Sequence, residues 1–252
     1  MPRFFVNNPT ECITDNIITI SGEDARHISK SLRMQVGEKV DVSDFSGFIY
    51  YCEIKEFTSD SVILKIIEKK PCKSEPSVSV RIFQALPKGD KLDTVIQKCT
   101  ELGAYDFTPV LTSRCISRPD EKSAIKKCER WQKISAEAAK QCGRGIIPGV
   151  NQMLNFEMAL REMSECTLSL MCYECEDSYS IGKCISDNLE KLSENSSVSI
   201  FIGPEGGISP DEAEKAKNMG VIMVGLGKRI LRTETAPLFA LSAVMLLTGN
   251  CE

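Results

Sequence analysis

The order of apolar and polar positions changes character near residue 72. Before that point the chain reads as short β-type runs with one helical interruption. Residues 22–34 place Ala25, Ile28 and Leu32 at helical spacing and repeat Arg26, Lys30 and Arg33 on another face. This predicts a helix with a packed side and a basic side. After Gly37 come the runs EKVDVSDF, FIYYCEIKEF and SVILKII, separated by a turn at Ser46 and Gly47 and a polar turn over residues 58–61, a meander suited to a small barrel. KKPCKSEPS, residues 69–77, has two prolines and little to bury, and reads as a linker.

Beyond the linker, apolar runs alternate with helical spacing, the sign of a parallel α/β sheet. SVRIFQAL is a strand, and Asp90 is placed to cap KLDTVIQKCTEL, whose Leu92, Val95, Ile96, Cys99 and Leu102 form a stripe that Gly103 ends. DFTPVL follows, then a long helix over residues 122–141 with Ile125, Trp131, Ile134 and Ala138 inward. Asn155 can cap FEMALREM, TLSLMCYE is a strand, and Ile181, Ile185, Leu189 and Leu192 space another helix. Residues 198–202 form an apolar run that empties into Gly203, Pro204, Glu205, Gly206 and Gly207. A helix then opens with Ser209, Pro210 and Glu212 as a capping box and ends at Gly220. VIMVGL leads to GKRILRTETAP and a last helix over residues 237–247 that is apolar all round, hence either deeply buried or at a subunit interface.

Two strand ends thus carry loops that can lie side by side at the carboxyl edge of a parallel sheet, where such sheets bind ligands. Gly206 and Gly207 permit close backbone approach. No Gly-Lys-Ser/Thr follows the first loop, and Gly225-Leu-Gly227 lacks the third glycine of a dinucleotide fingerprint. A ligand held largely by main chain, such as an adenosyl group, suits these residues better than a phosphate chain.

Composition narrows the class. With 252 residues, 42% hydrophobic and 26% charged, the chain can bury a substantial core in one large domain or two modest ones. No apolar run approaches membrane-spanning length, and MPRFFVNNPTEC lacks a secretion signal's apolar core, so a cytoplasmic location without a membrane partner is expected. Twelve cysteines, in mostly apolar contexts such as Cys99 and Cys128, read as reduced thiols; Cys172-Tyr-Glu-Cys175 has no second knuckle to complete a zinc site, so no metal is expected. Net charge is −4, yet residues 113–148 hold nine basic against four acidic side chains. Local phosphate contacts and a solvated helix face with mixed ion pairs both fit that run.

RFFV near the start, HISKSLRMQVGEKV, ALPKGDKLDTVIQKCTELG, ERWQKISAEAAKQCGR, GPEGG-x-S-x-x-E and LGKRILRTETAPLFAL occur in that order. Together they resemble the RsmE-type 16S ribosomal RNA methyltransferases, S-adenosylmethionine enzymes of the knotted SPOUT class that modify N3 of a uridine. The likeness covers nearly the whole chain, with Lys228 a mild departure. It implies an α/β protein with a PUA-like β-barrel over residues 1–72, which helps grip RNA. A SPOUT α/β domain over residues 73–252 would follow, with a trefoil knot and a mainly parallel sheet. It also implies S-adenosyl-L-methionine as cofactor, 16S ribosomal RNA of the small ribosomal subunit as partner, and a homodimer. On the matching positions, Met171, Tyr173 and Glu174, then Ile202, Gly203, Glu205, Gly206 and Gly207, then Leu226, Gly227, Ile230, Leu231 and Ala236 would surround the cofactor. Arg3, Arg144, Arg229 and the early stripe of Arg26, Lys30 and Arg33 are candidate RNA contacts. His27, the one histidine, is an RNA contact or a packing residue.

Uracil N3 is a poor nucleophile until its proton leaves and charge spreads to the flanking carbonyls, so the site needs a cation or donor there. With no histidine in the second domain, Arg232 is the candidate for stabilising the anion and Glu234 for accepting the proton, although the two can equally pair to brace their loop. A related methyltransferase acting on another RNA or base atom, and an RNA-binding factor without catalysis, are the competing readings. Intact GPEGG and RILRTETA argue against the latter.

Overall fold

Alternation of buried and exposed positions builds the first part of the protein. The computed structural model describes residues 1–6, 12–14 and 16–251. Among them, β1 (Arg3–Phe5), β2 (Ile13–Thr14), β3 (Ile17–Ser21), β4 (Lys39–Ser43), β5 (Phe48–Phe57) and β6 (Ser61–Pro71) form a six-stranded sheet in the order β1-β4-β5-β6-β3-β2. All neighbours are antiparallel except β1 and β4. Tyr50, Cys52 and Ile54 point to one face, where they meet Val40, Val42, Val62, Leu64, Ile18 and Ile20 in a closed apolar core.

Helix α1 (Gly22–Arg26), continued by a π turn over His27–Ser31, lays Ala25 and Ile28 onto that core. Leu32 was expected on the same face and is 43% exposed instead. The wide turn, closed by the Leu32 amide on the His27 carbonyl, ends the 3.6-residue period, and Arg33 leaves the helix with φ +52°.

The expected linker is more ordered than its prolines suggest. Lys69, Lys70 and Pro71 extend β6, and the Lys69 ammonium sits 4.2 Å from the centre of the Phe48 ring. Residues 139–147 group with residues 1–75 as one compact unit; the other comprises residues 76–138 and 148–252. Within the first, the Arg144 guanidinium forks onto Glu75, with Nη2 2.7 Å and Nε 3.0 Å from its two oxygens. The Gly145 amide donates to the same carboxylate.

The second unit contains β7 (Ser79–Ala85), α2 (Lys91–Glu101), β8 (Asp106–Leu111), α3 (Glu121–Cys142, whose end belongs to the first unit), β9 (Gly149–Val150), β10 (Leu154–Asn155) and α4 (Phe156–Ser164). It continues with β11 (Leu168–Cys172), α5 (Ile181–Asp187), β12 (Ser197–Ile202), α6 (Pro210–Asn218), β13 (Ile222–Val224) and α7 (Ala236–Leu247). The strands form one all-parallel sheet in the order β10-β8-β7-β12-β11-β13, with β9 on β8. Runs such as LSLMC are buried throughout because helices cover both faces. Trp131 and Ala138 of α3 are buried, whereas Ile125, expected inward, is 50% exposed in the first turns of that helix. Asn155 and Ser209 cap α4 and α6 as their spacing predicts. Asp90 does not cap α2 with its side chain; Asp93, one turn on, instead accepts from Arg130 and the Trp131 indole. Leu189, expected to pack, is exposed because α5 stops at Asp187 and a 3₁₀ turn follows.

Candidate active site

Neighbouring parallel strands end at one edge, so their following loops share one space. β12 lies between β7 and β11, and β13 flanks β11. The loops after β11, β12 and β13, together with Lys91 from the start of α2, enclose a cavity of about 640 Å³.

From the first loop come Cys172, Tyr173 and Glu174; from the second, Ile202, Gly203, Glu205, Gly206 and Gly207. The third contributes Leu226, Gly227, Arg229, Ile230, Leu231, Arg232, Glu234 and Ala236. The structure thus brings together every cofactor and catalytic candidate except Met171, which lies behind the wall, wholly buried in the core of β11. Cys172, one residue on, takes the lining position. Burial pushes its thiol up to about 12, so it stays neutral and supplies no thiolate nucleophile.

Gly225 is dictated by close approach to main chain and Gly207 by its backbone conformation. A side chain at Gly225 would run into the Glu176 carbonyl, and one at Gly207 (φ +69°) into the Glu174 carboxylate. Residues 224 and 225 are held from two directions. The Tyr173 amide donates to the Val224 carbonyl, the Gly225 amide to the Tyr179 carbonyl, and the Ile181 amide to the Gly225 carbonyl, each at 3.0 Å.

Loop register comes from groups the sequence did not single out. The buried Thr233 hydroxyl donates to the Gly203 carbonyl at 2.7 Å and accepts from the Gln84 amide of β7 at 3.0 Å, tying the third loop to the second. The Arg114 guanidinium donates to the Gly206 carbonyl at 2.9 Å. Glu205 accepts the Lys91 ammonium at 2.6 Å and the Lys88 amide at 3.0 Å. Burial raises the pKa of Glu205, but these hydrogen bonds outweigh it and hold the carboxyl below its usual range. Gln84 lies in β7, the strand that neighbours β12, and Lys88 and Lys91 follow it, an adjacency that no local pattern encodes.

At the mouth, Arg232 is 85% exposed with Nη1 4.0 Å from Glu234 Oε1, while Glu234 turns inward. This weak pair does not immobilise the arginine.

Of the RNA candidates, Arg26, His27, Lys30 and Arg33 are exposed in the first unit, and Arg229 is exposed at the cavity. His27 meets Phe4 edge to face with ring centres 6.2 Å apart. Two candidates are corrected. Arg144 is buried and committed to Glu75, and Arg3, half-buried, donates to the Gly143 carbonyl and pairs with Asp41 at 3.2 Å. Both direct their charge to partners inside the first unit.

Comparison with known proteins agrees with this geometry. The family model described as RNA methyltransferase domain matches residues 73–245, and that described as RNA methyltransferase PUA domain matches residues 20–67. The chain belongs to this RNA methyltransferase family. Among its relatives, the ribosomal RNA small subunit methyltransferase E of Bacillus subtilis (strain 168) is 38% identical over 245 residues, 97% of this chain and 96% of that protein. A crystal structure of a hypothetical protein superimposes with a TM-score of 0.91 at 36% identity, covering 99% of this chain and 100% of the other. The ribosomal RNA small subunit methyltransferase E from Neisseria gonorrhoeae, solved bound to S-adenosyl methionine, gives 0.80 at 28% identity over 98% of both chains.

Proposed function

We propose that the protein transfers a methyl group from S-adenosyl-L-methionine to N3 of a uridine in 16S ribosomal RNA of the small ribosomal subunit. The observation that carries this reading is the single cavity made by the three strand-end loops, in a chain related over nearly its full length to ribosomal RNA small subunit methyltransferase E. Its volume lies within the range of about 300–1,000 Å³ usual for small-molecule sites. Ile202, Leu226, Leu231 and Ala236 offer apolar walls for an adenosine, and Gly207 and Gly225 let the loop of Glu174 and Glu176 close against the cavity wall.

When bound, the donor supplies an electrophilic methyl on a sulfonium sulfur, which keeps the electron pair of the breaking S–C bond. The chain's own residues act on the uracil. Glu234 takes the N3 proton, Arg232 stabilises the charge left on the ring carbonyls, and the N3 lone pair forms the new N–C bond. The high exposure of Arg232 suits a group that meets its partner only when RNA arrives.

Residues 1–72 form the RNA-gripping domain in this reading and residues 73–252 the transferase. Arg26, His27, Lys30, Arg33 and Arg229 lie on the RNA path, where basic side chains position phosphate. In this reading the C-terminal segment forms a trefoil knot, against the general rarity of threaded chains; the backbone hydrogen bonds from residues 224–225 to both arms of the loop 173–181 support it. The enzyme acts in the cytoplasm as a homodimer through α7, whose Phe239, Leu246 and Leu247 are 46%, 67% and 38% exposed while Ala240, Leu241, Val244 and Met245 are buried. Among the described residues no helix is long and apolar enough to cross a membrane.

Incubation with isotopically labelled donor and small subunits lacking the modification, followed by nucleoside mass analysis, tests the assignment. Labelled N3-methyluridine is the expected product. Label in another nucleoside would point to a related methyltransferase with a different target, and absence of label would refute the enzymatic reading.

A further inference from the structure

The cavity's charged groups are not independent. The segment between β7 and α2 delivers Lys91, the first residue of α2, to the space between the two carboxylates Glu205 and Glu234. On one side its ammonium is 2.6 Å from Glu205 Oε1, which also accepts the Lys88 amide three residues earlier in the chain, so one carboxylate holds both the lysine tip and the segment that leads to it. On the other side it is 3.9 Å from Glu234 Oε2. That oxygen is buried and has no hydrogen-bond partner, whereas Oε1 of the same carboxylate faces Arg232.

A buried carboxylate oxygen without a partner is costly, and an ammonium 3.9 Å away, just beyond hydrogen-bond reach, is the group placed to relieve it. Lys91 therefore addresses the inner oxygen of Glu234 and leaves the outer one toward the cavity mouth.

We infer that Lys91 is a positioning residue for methyl transfer: anchored by Glu205, it orients the Glu234 carboxylate so that its outer oxygen meets the uracil N3 proton. The inference rests on the reading of Glu234 as proton acceptor. In this reading Lys91 acts through Glu234, which separates its role from that of Arg232.

The test compares full-length wild type with K91M, K91R, E205Q, E234Q and K91M/E234Q. Donor affinity is read by titration calorimetry, and single-turnover methylation of small subunits is read at saturating donor and RNA. E234Q is expected to lose about 100-fold in rate, the low end for proton transfer. K91M is expected to lose about 10- to 100-fold with donor affinity within about threefold of wild type, and K91R to recover most of the rate; E205Q, which frees the lysine tip, falls between wild type and K91M. K91M/E234Q is expected to be no slower than E234Q, because two residues of one unit are not additive. A purely structural lysine would shift the melting temperature without this epistasis. Equal slowing by K91M in both backgrounds, or wild-type rate in K91M beside a slow E234Q, overturns the inference while leaving Glu234 as acceptor. Wild-type rate in E234Q removes that reading and the inference with it. Should K91M fail to fold, K91R and E205Q carry the comparison, and wild-type rate in E205Q overturns the anchoring.

Discussion

Arg232 and Arg144 are separated by burial, and that separation decides what each does. The first is 85% exposed beside the cavity; the side chain of the second is 4% exposed on Glu75. R232A is expected to cost about 100- to 1,000-fold in turnover with donor affinity unchanged, as loss of a charge-stabilising group does. Steady-state kinetics beside calorimetry checks it, and wild-type turnover would refute the role. R144A should instead leave Glu75 unpaired and cost about 3–5 kcal/mol in urea unfolding. Alanine at Arg26, Lys30 and Arg33 should leave stability alone, weaken RNA binding and flatten its salt dependence by nearly one unit of slope per lost contact, measured by filter binding over a salt series. Sequence placed Arg144 with the basic run because charge is visible there and partners are not. Glu75 lies 69 positions away. For the same reason Lys91 and Thr233 escaped notice, since their partners are far along the chain.

Elements whose signals are local were legible. The capping box at Ser209 and Glu212 is present as its spacing predicts, and Gly103 and Gly220 end their helices with positive φ. The exceptions are positions where local period yields to tertiary context, such as Leu32 at the π turn and Ile125 at the open start of α3. Glu212 does more than its motif requires, because it also accepts the Ser113 amide at 2.7 Å from the neighbouring loop. Burial pushes its pKa up, but the amides of Ser113 and Ser209 and the Ser209 hydroxyl win, and the carboxyl titrates below its ordinary 4.5. A carboxylate depressed by folding stabilises the protein above the unfolded pKa, and that contribution is lost as pH falls through the folded value. E212Q should therefore cost about 1–2 kcal/mol at pH 7, with the gap to wild type narrowing below about pH 4.5, as followed by urea melts across pH. A gap independent of pH would refute the role of the charge.

For the molecule as a whole, the alternation of strands and helices gave the parallel sheet, and the motifs gave the family. Strand order was not legible, because placing β12 beside β7 depends on a pairing between segments more than 100 residues apart. That order makes one cavity out of three separate loops. The central claim is that this cavity grips the methyl donor mainly through main-chain atoms, and titration calorimetry with S-adenosylmethionine tests it most directly. Wild type is predicted to bind one donor per chain, and G207V, whose side chain would enter the space beside Glu174 at a positive φ, to lose at least tenfold in affinity while keeping its melting temperature within a few degrees. Absence of binding by wild type, or equal affinity in G207V, would contradict the account.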